Sequence, residues 1–156
     1  AAGLSVGLVS LREFEWRRVM AVPIDWLWLR RGVSTALPFL CATAALLGEA
    51  LAFGLKGGLT HANMLEVITQ SAVASPLIGY KKDMVITGDY SPAATLDMLR
   101  KDLDLLLAAA REQGTPLPVN AGIKKIYDAA SARGLGQKDF FVLVQEAENA
   151  AGAKPA

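Results

Sequence analysis

Hydrophobic residues recur with a helical period over residues 91–112. Alternating steps of three and four separate five of them, and on an α-helix they form one apolar stripe: Leu96, Leu99, Leu103, Leu106 and Ala110. By the same count, Asp97, Lys101 and Asp104 fall on another face. Carboxylates at this spacing from an ammonium predict exposed ion pairs worth about 0.2–0.5 kcal/mol each. The pattern therefore predicts a helix that buries its leucines and leaves Lys101 outside.

Residues that start helices mark out further elements along the chain. Thr60 precedes a short amphipathic stretch and is predicted to be its N-cap. Ser75 and Ser91 each stand directly before a proline, which is the signature of a capped first turn. Asp139 is predicted to cap the last helix. These signals predict helices that begin near residues 61, 76, 92 and 140.

Glycines mark the ends of the predicted helices. Gly57 with Gly58 ends an apolar helix that begins at about residue 35, and Gly114 ends the leucine-rich helix. Residues 119–132 read as another helix, with Ile126 and Tyr127 directed inward. The chain therefore predicts an all-α array of five or six helices over residues 35–150. Residues 1–34 carry no assignable pattern, and residues 151–156 are predicted to be a disordered tail.

An uncharged stretch at residues 32–48 follows directly after two arginines. This arrangement is typical of a membrane or export segment. A bilayer span, however, needs about 20 consecutive apolar residues, whereas this stretch contains Pro38 and is closed by Glu49. The pattern favours a buried or interface helix, with a membrane or export segment as the alternative.

Charge and composition narrow the function classes. The chain has 16 basic and 15 acidic residues, a balance that argues against nucleic acid as a partner. The single Cys41 excludes an internal disulfide, and one Cys with one His cannot supply an ordinary zinc site. His61 has no recognisable nucleophile beside it in the sequence and is interpreted as structural. We expect no metal, no nucleic acid and a cytoplasmic location.

Four segments occur in an order and at separations that suggest a known family: EALAFGLKGGL, ITQSAVAS, GDYSPAATLDMLRKDLDLLLAAAREQGTPLPV and IYDAASARGLGQKDF. Together they resemble the C-terminal helical domain of the β-hydroxyacid dehydrogenases, such as 3-hydroxyisobutyrate dehydrogenase, over about residues 49–145. The resemblance implies a helical fold like the C-terminal domain of 6-phosphogluconate dehydrogenase. It also implies a parent enzyme that transfers a hydride between NAD or NADP and a small hydroxy acid.

The resemblance implies roles for three residues. The family's Lys-Asp-Leu motif matches residues 101–103, which makes Lys101 the lysine that reaches the bound cofactor across a domain interface, with Asp102 lining the site. Ser71 corresponds to a serine near the substrate. Val73 and Pro76 stand where the family has Gly and Trp, a departure that weakens the substrate-loop assignment. In the family, the helical domain also makes most subunit contacts, which implies a homo-oligomer.

Two features of the complete family are absent from the sequence. No Gly-x-Gly-x-x-Gly fingerprint follows a strand pattern. The family's catalytic lysine would fall near Val33, where no lysine occurs, and Arg30 and Arg31 cannot exchange protons near neutral pH because arginine pKa values exceed 12. No catalytic residue is therefore assigned, and we expect a truncated chain that is inactive alone. The alternatives are a non-catalytic helical homodimerisation module and a membrane-attached helical protein.

Overall fold

A computed structural model describes residues 26–153, with side chains described from residue 36 onward. The described residues form six α-helices and one short π-helical segment: α1 (Trp26–Lys56), α2 (His61–Gln70), α3 (Pro76–Thr87), α4 (Leu96–Glu112), α5 (Pro118–Ala130), the π segment (Ser131–Leu135) and α6 (Val142–Ala151). Contacts divide the chain between Val33 and Ser34, and the fold described below is that of the second unit. The predicted all-α array of five or six helices is confirmed. The assignment of residues 1–34 lies mostly outside the described residues.

Two predicted caps are confirmed by their hydrogen bonds. The Thr60 hydroxyl accepts the backbone N–H of Asn63 at 3.3 Å and begins α2. The Ser75 hydroxyl accepts the N–H of Ile78 at 3.2 Å, with the predicted proline in the first turn of α3. Local sequence decided both helix starts because the partners lie only three residues away.

The predicted cap at Ser91 is wrong. The leucine helix α4 begins at Leu96, where the Thr95 hydroxyl accepts the N–H of Met98 at 3.2 Å. The Ser91 hydroxyl instead donates to the Asp89 carboxylate at 2.7 Å in the preceding turn. The start of α4 shifts because tertiary hydrogen bonds hold residues 93 and 94 outside the helix.

The leucine stripe of α4 lies in the core as predicted. Leu96, Leu99 and Leu103 are almost completely buried, and they share the core with Tyr127 of α5. Tyr127 is fully buried, and its hydroxyl donates to the backbone carbonyl of Cys41 at 3.4 Å. Ile126 departs from the prediction, since 38% of it remains exposed.

One side of α1 packs into the bundle. Leu37, Cys41, Leu47 and Leu51 are buried there. Gly48 allows α6 to approach closely, since an added Cβ would lie only 3.0 Å from the carbonyl oxygen of Leu143 in α6. Within the described residues, one helical stretch, residues 36–56, is long and apolar enough to cross a membrane by length and composition, and 44% of it is buried in the bundle. This burial agrees with the favoured interpretation of a buried or interface helix.

Asp139 is the most connected polar residue of the core. Its carboxylate is fully buried and accepts a hydrogen bond from the Lys81 ammonium at 2.6 Å. It also accepts the N–H groups of Ala93 at 3.0 Å, Ala94 at 3.4 Å and Phe141 at 3.1 Å. The predicted N-cap role for Asp139 is therefore wrong in detail, because α6 begins at Val142 and Phe141 occupies the cap position. One carboxylate joins α3, the segment before α4 and the segment before α6.

Aromatic rings surround the buried ammonium of Lys81. Its nitrogen lies 5.2 Å from the ring centroid of Tyr80, 5.5 Å from that of Phe140 and 5.7 Å from that of Phe141. A cation within about 6 Å of aromatic faces is stabilised by their quadrupoles. The rings and the carboxylate together compensate the desolvation of a lysine that is 3% exposed.

Backbone hydrogen bonds reinforce the same junction. The N–H of Leu96 donates to the carbonyl of Lys138 at 2.9 Å, and the N–H of Phe140 donates to the carbonyl of Ala94 at 3.1 Å. The N–H of Asp97 donates to the carbonyl of Gly136 at 3.0 Å. The bonds from Leu96 and Asp97 occupy two of the free N–H groups in the first turn of α4. The helix that carries Lys101 is thus anchored at its N-terminal end.

The described structure continues from residue 150 to residue 153. Residue 151 is the last of α6, and Ala153 is buried, with its N–H donating to the carbonyl of Glu148 at 2.9 Å. Of the predicted tail, residues 154–156 lie outside the described residues.

We expect Asp139→Asn to lower the free energy of unfolding by about 3–5 kcal/mol, because it leaves the Lys81 ammonium buried without a counter-ion. Urea unfolding followed by circular dichroism measures this change. Adding Lys81→Met should recover more than about 1 kcal/mol, since it removes the unpaired charge. Asp83→Asn, an exposed change on the same helix as Lys81, should stay within about 0.5 kcal/mol of the parent. Equal losses in the Asp139 and Asp83 variants would contradict the buried pair.

Candidate functional site

Lys101 lies on the outer face of α4. Its neighbours Leu99 and Leu103 are 2% and 0% exposed, whereas 67% of the Lys101 side chain is exposed. Asp102 is the carboxylate nearest to it among the described residues, with Oδ1 3.6 Å from the ammonium nitrogen. An exposed pair of this length contributes about 0–1 kcal/mol and restrains the lysine little. The position off the leucine stripe is as predicted, and the ammonium is free to reach outward.

The predicted pairing of Lys101 with Asp97 and Asp104 is wrong. The Asp97 carboxylate accepts from Ser131 at 2.6 Å, and Asp104 pairs with Lys124 at 3.0 Å. Both partners belong to segments that pack beside α4, so helical spacing alone could not reveal them. The consequence is that neither carboxylate neutralises Lys101.

The Asp97 carboxylate joins the first turn of α4 to the segment after α5. Besides Ser131, it accepts from Arg100 at 3.1 Å and from Gln137 at 3.4 Å. The hydrogen bond from Ser131, followed by the interactions with Arg100, lowers the pKa of Asp97 below its ordinary value despite partial desolvation. The same pairing raises the pKa of Arg100. This cluster holds the π segment against the helix that carries Lys101.

A second group of charges joins α4 to α5. The Lys124 ammonium lies 2.5 Å from the Asp128 carboxylate and 3.0 Å from that of Asp104. Burial lowers the pKa of Lys124, but the hydrogen bonds to the two carboxylates outweigh burial and raise it. The hydrogen bond from Lys124 lowers the pKa of Asp128, which also faces Arg100 at 3.5 Å. Arg100 and Lys124 thus form ion pairs with carboxylates of the bundle. The Lys101 ammonium, in contrast, lies on the exposed face of α4.

Ser71 lies at the C-terminal end of α2 and is exposed. Its hydroxyl donates to the carbonyl of Ile68 at 2.8 Å and accepts the N–H of Val73 at 3.3 Å. Within the described residues, no hydrogen bond joins Ser71 to Lys101 or Asp102. The hydroxyl shapes the turn between α2 and α3, and its substrate role stays a prediction.

His61 is buried and lies 2.6 Å from the carboxylate of Glu148, Nε2 to Oε1, which links α2 to α6. The structural interpretation of this histidine agrees with that contact. In the part of the chain that the structure describes, no three His, Cys, Asp or Glu residues are grouped to hold a metal ion. Burial raises the pKa of the Cys41 thiol from 9.0 to about 11, a value that disfavours the reactive thiolate.

Several residues that build the site gave little signal in the sequence. Ser131 and Gln137 hold Asp97, while Lys81 and Asp139 anchor the segment before α4. The separation of each pair along the chain is too large for helical periodicity to reveal. Lys81 stands in a run of three charged residues, so the sequence did not mark it as the buried one.

The family model described as NAD-binding of NADP-dependent 3-hydroxyisobutyrate dehydrogenase matches residues 39–147. The chain belongs to this family of β-hydroxyacid dehydrogenases. The predicted family resemblance is thereby confirmed, and so is NAD or NADP as the cofactor that the resemblance implies.

The chain is also similar to curated proteins and to a solved structure. The chain is 34% identical to 2-(hydroxymethyl)glutarate dehydrogenase of Eubacterium barkeri over 109 residues, which is 69% of this chain and 36% of that protein. It is 32% identical to the cytokine-like nuclear factor N-PAC of Aedes aegypti over 93 residues, or 60% of this chain and 17% of that protein. The crystal structure of 3-hydroxyisobutyrate dehydrogenase from Salmonella typhimurium superposes with a TM-score of 0.68 at 26% identity, covering 72% of this chain and 40% of that chain. The chain thus spans about a third or less of these curated relatives.

We expect Asp97→Asn to lower the free energy of unfolding by about 1 kcal/mol at pH 6, because the hydrogen bonds from Ser131 and Arg100 lose their charged acceptor and weaken. The loss is limited because a third of the Asp97 side chain is exposed to solvent. Since the pKa of Asp97 is lowered in the folded chain, its contribution is present above about pH 4 and is lost as the pH falls through the folded pKa. The difference in the free energy of unfolding between the parent and the Asp97→Asn variant should therefore become smaller at low pH. Urea unfolding at pH 6 and pH 3 measures it, with Glu112→Gln as the exposed control. A difference that grows on acidification would contradict the assignment.

Proposed function

We propose that residues 35–150 are the helical domain that completes the cofactor cleft of an NAD(P)-dependent β-hydroxyacid dehydrogenase, with Lys101 as the residue that contacts the cofactor. The observation that carries this proposal is that α4 is anchored by its buried leucines, whereas the Lys101 ammonium on the same helix is exposed. Family membership supplies the class of cofactor.

The surroundings of Lys101 suit a cofactor contact. A lysine delivers a compact positive charge on a long flexible stem, which matches a phosphate or a polar ribose edge. Its helix is held by the buried Asp139 carboxylate at one end and by the Asp97 and Lys124 clusters along its length. Because the helix is already held in place, cofactor binding costs little conformational entropy beyond that of ordering the Lys101 side chain.

Asp102 and Ser71 take secondary roles in this proposal. Asp102 lies 3.6 Å from the Lys101 ammonium and would line the site beside it. Ser71, at the exposed end of α2, would face a small hydroxy acid through its hydroxyl. When bound, the nicotinamide cofactor supplies the hydride chemistry, and the residues of this chain bind and orient the cofactor and the hydroxy acid.

Replacement of Lys101 tests the cofactor contact directly. We expect a chimera that carries residues 36–153 in place of the helical domain of the Salmonella 3-hydroxyisobutyrate dehydrogenase to bind NADH or NADPH. Lys101→Ala should raise the Kd about tenfold or more, because a charged hydrogen bond contributes about 1.5–3 kcal/mol. Fluorescence titration measures the Kd. Lys125→Ala removes another exposed lysine, on α5, and should leave the Kd unchanged. An unchanged Kd in the Lys101 variant of a cofactor-binding chimera would end the proposal.

We also expect the 156-residue chain alone to show no turnover, since its sequence contains neither the dinucleotide fingerprint nor a lysine at the catalytic position. Absorbance at the NADH band, followed with a panel of hydroxy acids and semialdehydes, measures this. Steady NADH consumption that survives further purification would contradict the expectation.

A second candidate function is a non-catalytic association module. It is favoured by large apolar side chains on the outer face of α1, with Phe39 77% and Phe53 85% exposed. A relative named as a nuclear factor rather than as a dehydrogenase shows that similar sequence occurs under another description. The membrane-attached alternative depends on the same helix, and both the oligomer and the cytoplasmic location stay predictions.

A further inference from the structure

Met98 is an exposed methionine on the helix that carries Lys101. Of the methionines whose side chains the structure describes, Met64 is 8% exposed and Met84 is partly buried against the core, whereas Met98 is 46% exposed. An oxidant must touch the thioether sulfur, so exposure decides which methionine reacts first. Among these three residues, Met98 is therefore the one that a dissolved oxidant reaches most easily.

Helical geometry makes Lys101 and Met98 neighbours. The two residues lie three positions apart on α4, and side chains at this spacing share one face, with Cβ atoms about 5–6 Å apart. Long side chains in a helix also lean toward its N-terminus, over the residues three and four positions earlier. For Lys101 those residues are Met98 and Asp97. The Lys101 ammonium is therefore within reach of the Met98 side chain.

The Lys101 ammonium is weakly engaged by the acceptors around it. The Asp97 carboxylate already accepts hydrogen bonds from three side chains of its own cluster. Asp102 makes only the exposed contact of 3.6 Å, and the thioether of Met98 is a weak acceptor. A strong acceptor at position 98 would therefore find an available donor.

We propose that Met98 is a site of reversible oxidation that controls the availability of Lys101. A peroxide transfers one oxygen atom to the thioether sulfur: the O–O bond breaks, the sulfur is oxidised to a sulfoxide, and hydrogen peroxide is reduced to water. The sulfoxide oxygen then accepts a hydrogen bond from the Lys101 ammonium and holds it on the helix surface. Methionine sulfoxide reductases reverse the oxidation. The effect on cofactor binding rests on the proposed function, whereas the oxidation and the new hydrogen bond do not.

The fold protects Cys41, which is the other sulfur that a peroxide could attack. Its side chain is fully buried, and burial raises the pKa of the thiol to about 11. A peroxide attacks the thiolate, which this environment disfavours. A thioether reacts without losing a proton, so mild oxidation is directed to Met98.

Peptide mass spectrometry of the full chain, treated with dilute hydrogen peroxide, tests the selectivity. We expect Met98 to be oxidised about tenfold or more faster than Met64, because 46% of Met98 is exposed against 8% of Met64. Far-ultraviolet circular dichroism verifies that the treated chain stays folded. Equal rates for the two residues in a folded chain would contradict the assignment of Met98 as the modification site.

The contact with Lys101 is tested in the full chain without a cofactor. Isotope-labelled methyl groups are attached to the lysine amines, and their resonances are followed by NMR during oxidation. We expect the Lys101 resonance to shift and that of Lys125, an exposed lysine on α5, to stay in place. Met98→Leu keeps an apolar side chain that peroxide does not oxidise, and it should abolish the shift. An unmoved Lys101 resonance in a chain with Met98 fully oxidised would overturn the inferred hydrogen bond.

The effect on cofactor binding is measured in the chimera described above, as the ratio of the Kd after oxidation to the Kd before it. For NADH or NADPH we expect a ratio of about three or more, because the sulfoxide competes for the ammonium that would contact the cofactor. Met98→Leu should bring the ratio close to one, whereas Met84→Leu should keep the ratio of the parent. A methionine sulfoxide reductase should restore the original Kd.

The Lys101→Ala variant of the chimera separates failure of this inference from failure of the proposed function. If Lys101→Ala weakens cofactor binding but complete oxidation of Met98 does not, the control of Lys101 by Met98 is wrong and the proposed function stands. If Lys101→Ala leaves the Kd unchanged, the proposed function is wrong, and the Lys101 resonance alone decides whether oxidation of Met98 engages the ammonium.

Discussion

The buried carboxylate of Asp139 is the constraint on which the arrangement of the bundle depends. A fully desolvated carboxylate is tolerated only when its oxygens are occupied, and here they are occupied by one ammonium and three backbone N–H groups. Those donors come from α3, from the segment before α4 and from the segment before α6. Because the carboxylate must satisfy all of them at once, the three segments have a single mutual position. The aromatic rings around Lys81 complete the compensation.

The candidate site inherits its geometry from this constraint. The segment that Asp139 holds leads directly into α4, and the first turn of α4 is fixed again by the Asp97 carboxylate. Leu99 and Leu103 then set the rotation of the helix about its axis, since both must lie in the core. Lys101 falls between them in sequence and opposite them in space. The fold thus presents the charged end of Lys101 to solvent on a well-anchored helix.

Helix α1 illustrates the limit of hydropathy as evidence. Its residues are apolar on nearly every side, a pattern shared by membrane spans, core helices and helices between subunits. The tertiary structure separates two of its faces: one packs on the rest of the bundle, where Gly48 allows the close approach of α6, and the other presents Phe39, Leu46 and Phe53 to solvent. Composition cannot distinguish these faces, because both are equally uncharged.

Sequence by itself determined the all-α class, the caps at Thr60 and Ser75, the buried stripe of α4 and the family, because each rests on residues a few positions apart or on a run of matching segments. It placed Lys101 off the stripe for the same reason. Only the tertiary structure decided that Thr95 rather than Ser91 caps α4, that Asp97 binds Ser131 rather than Lys101, and that Asp139 binds Lys81. Those partners lie 34 and 58 residues apart in the last two cases. A desolvated carboxylate takes whichever donors the fold brings near it, and helical periodicity carries no information over such separations.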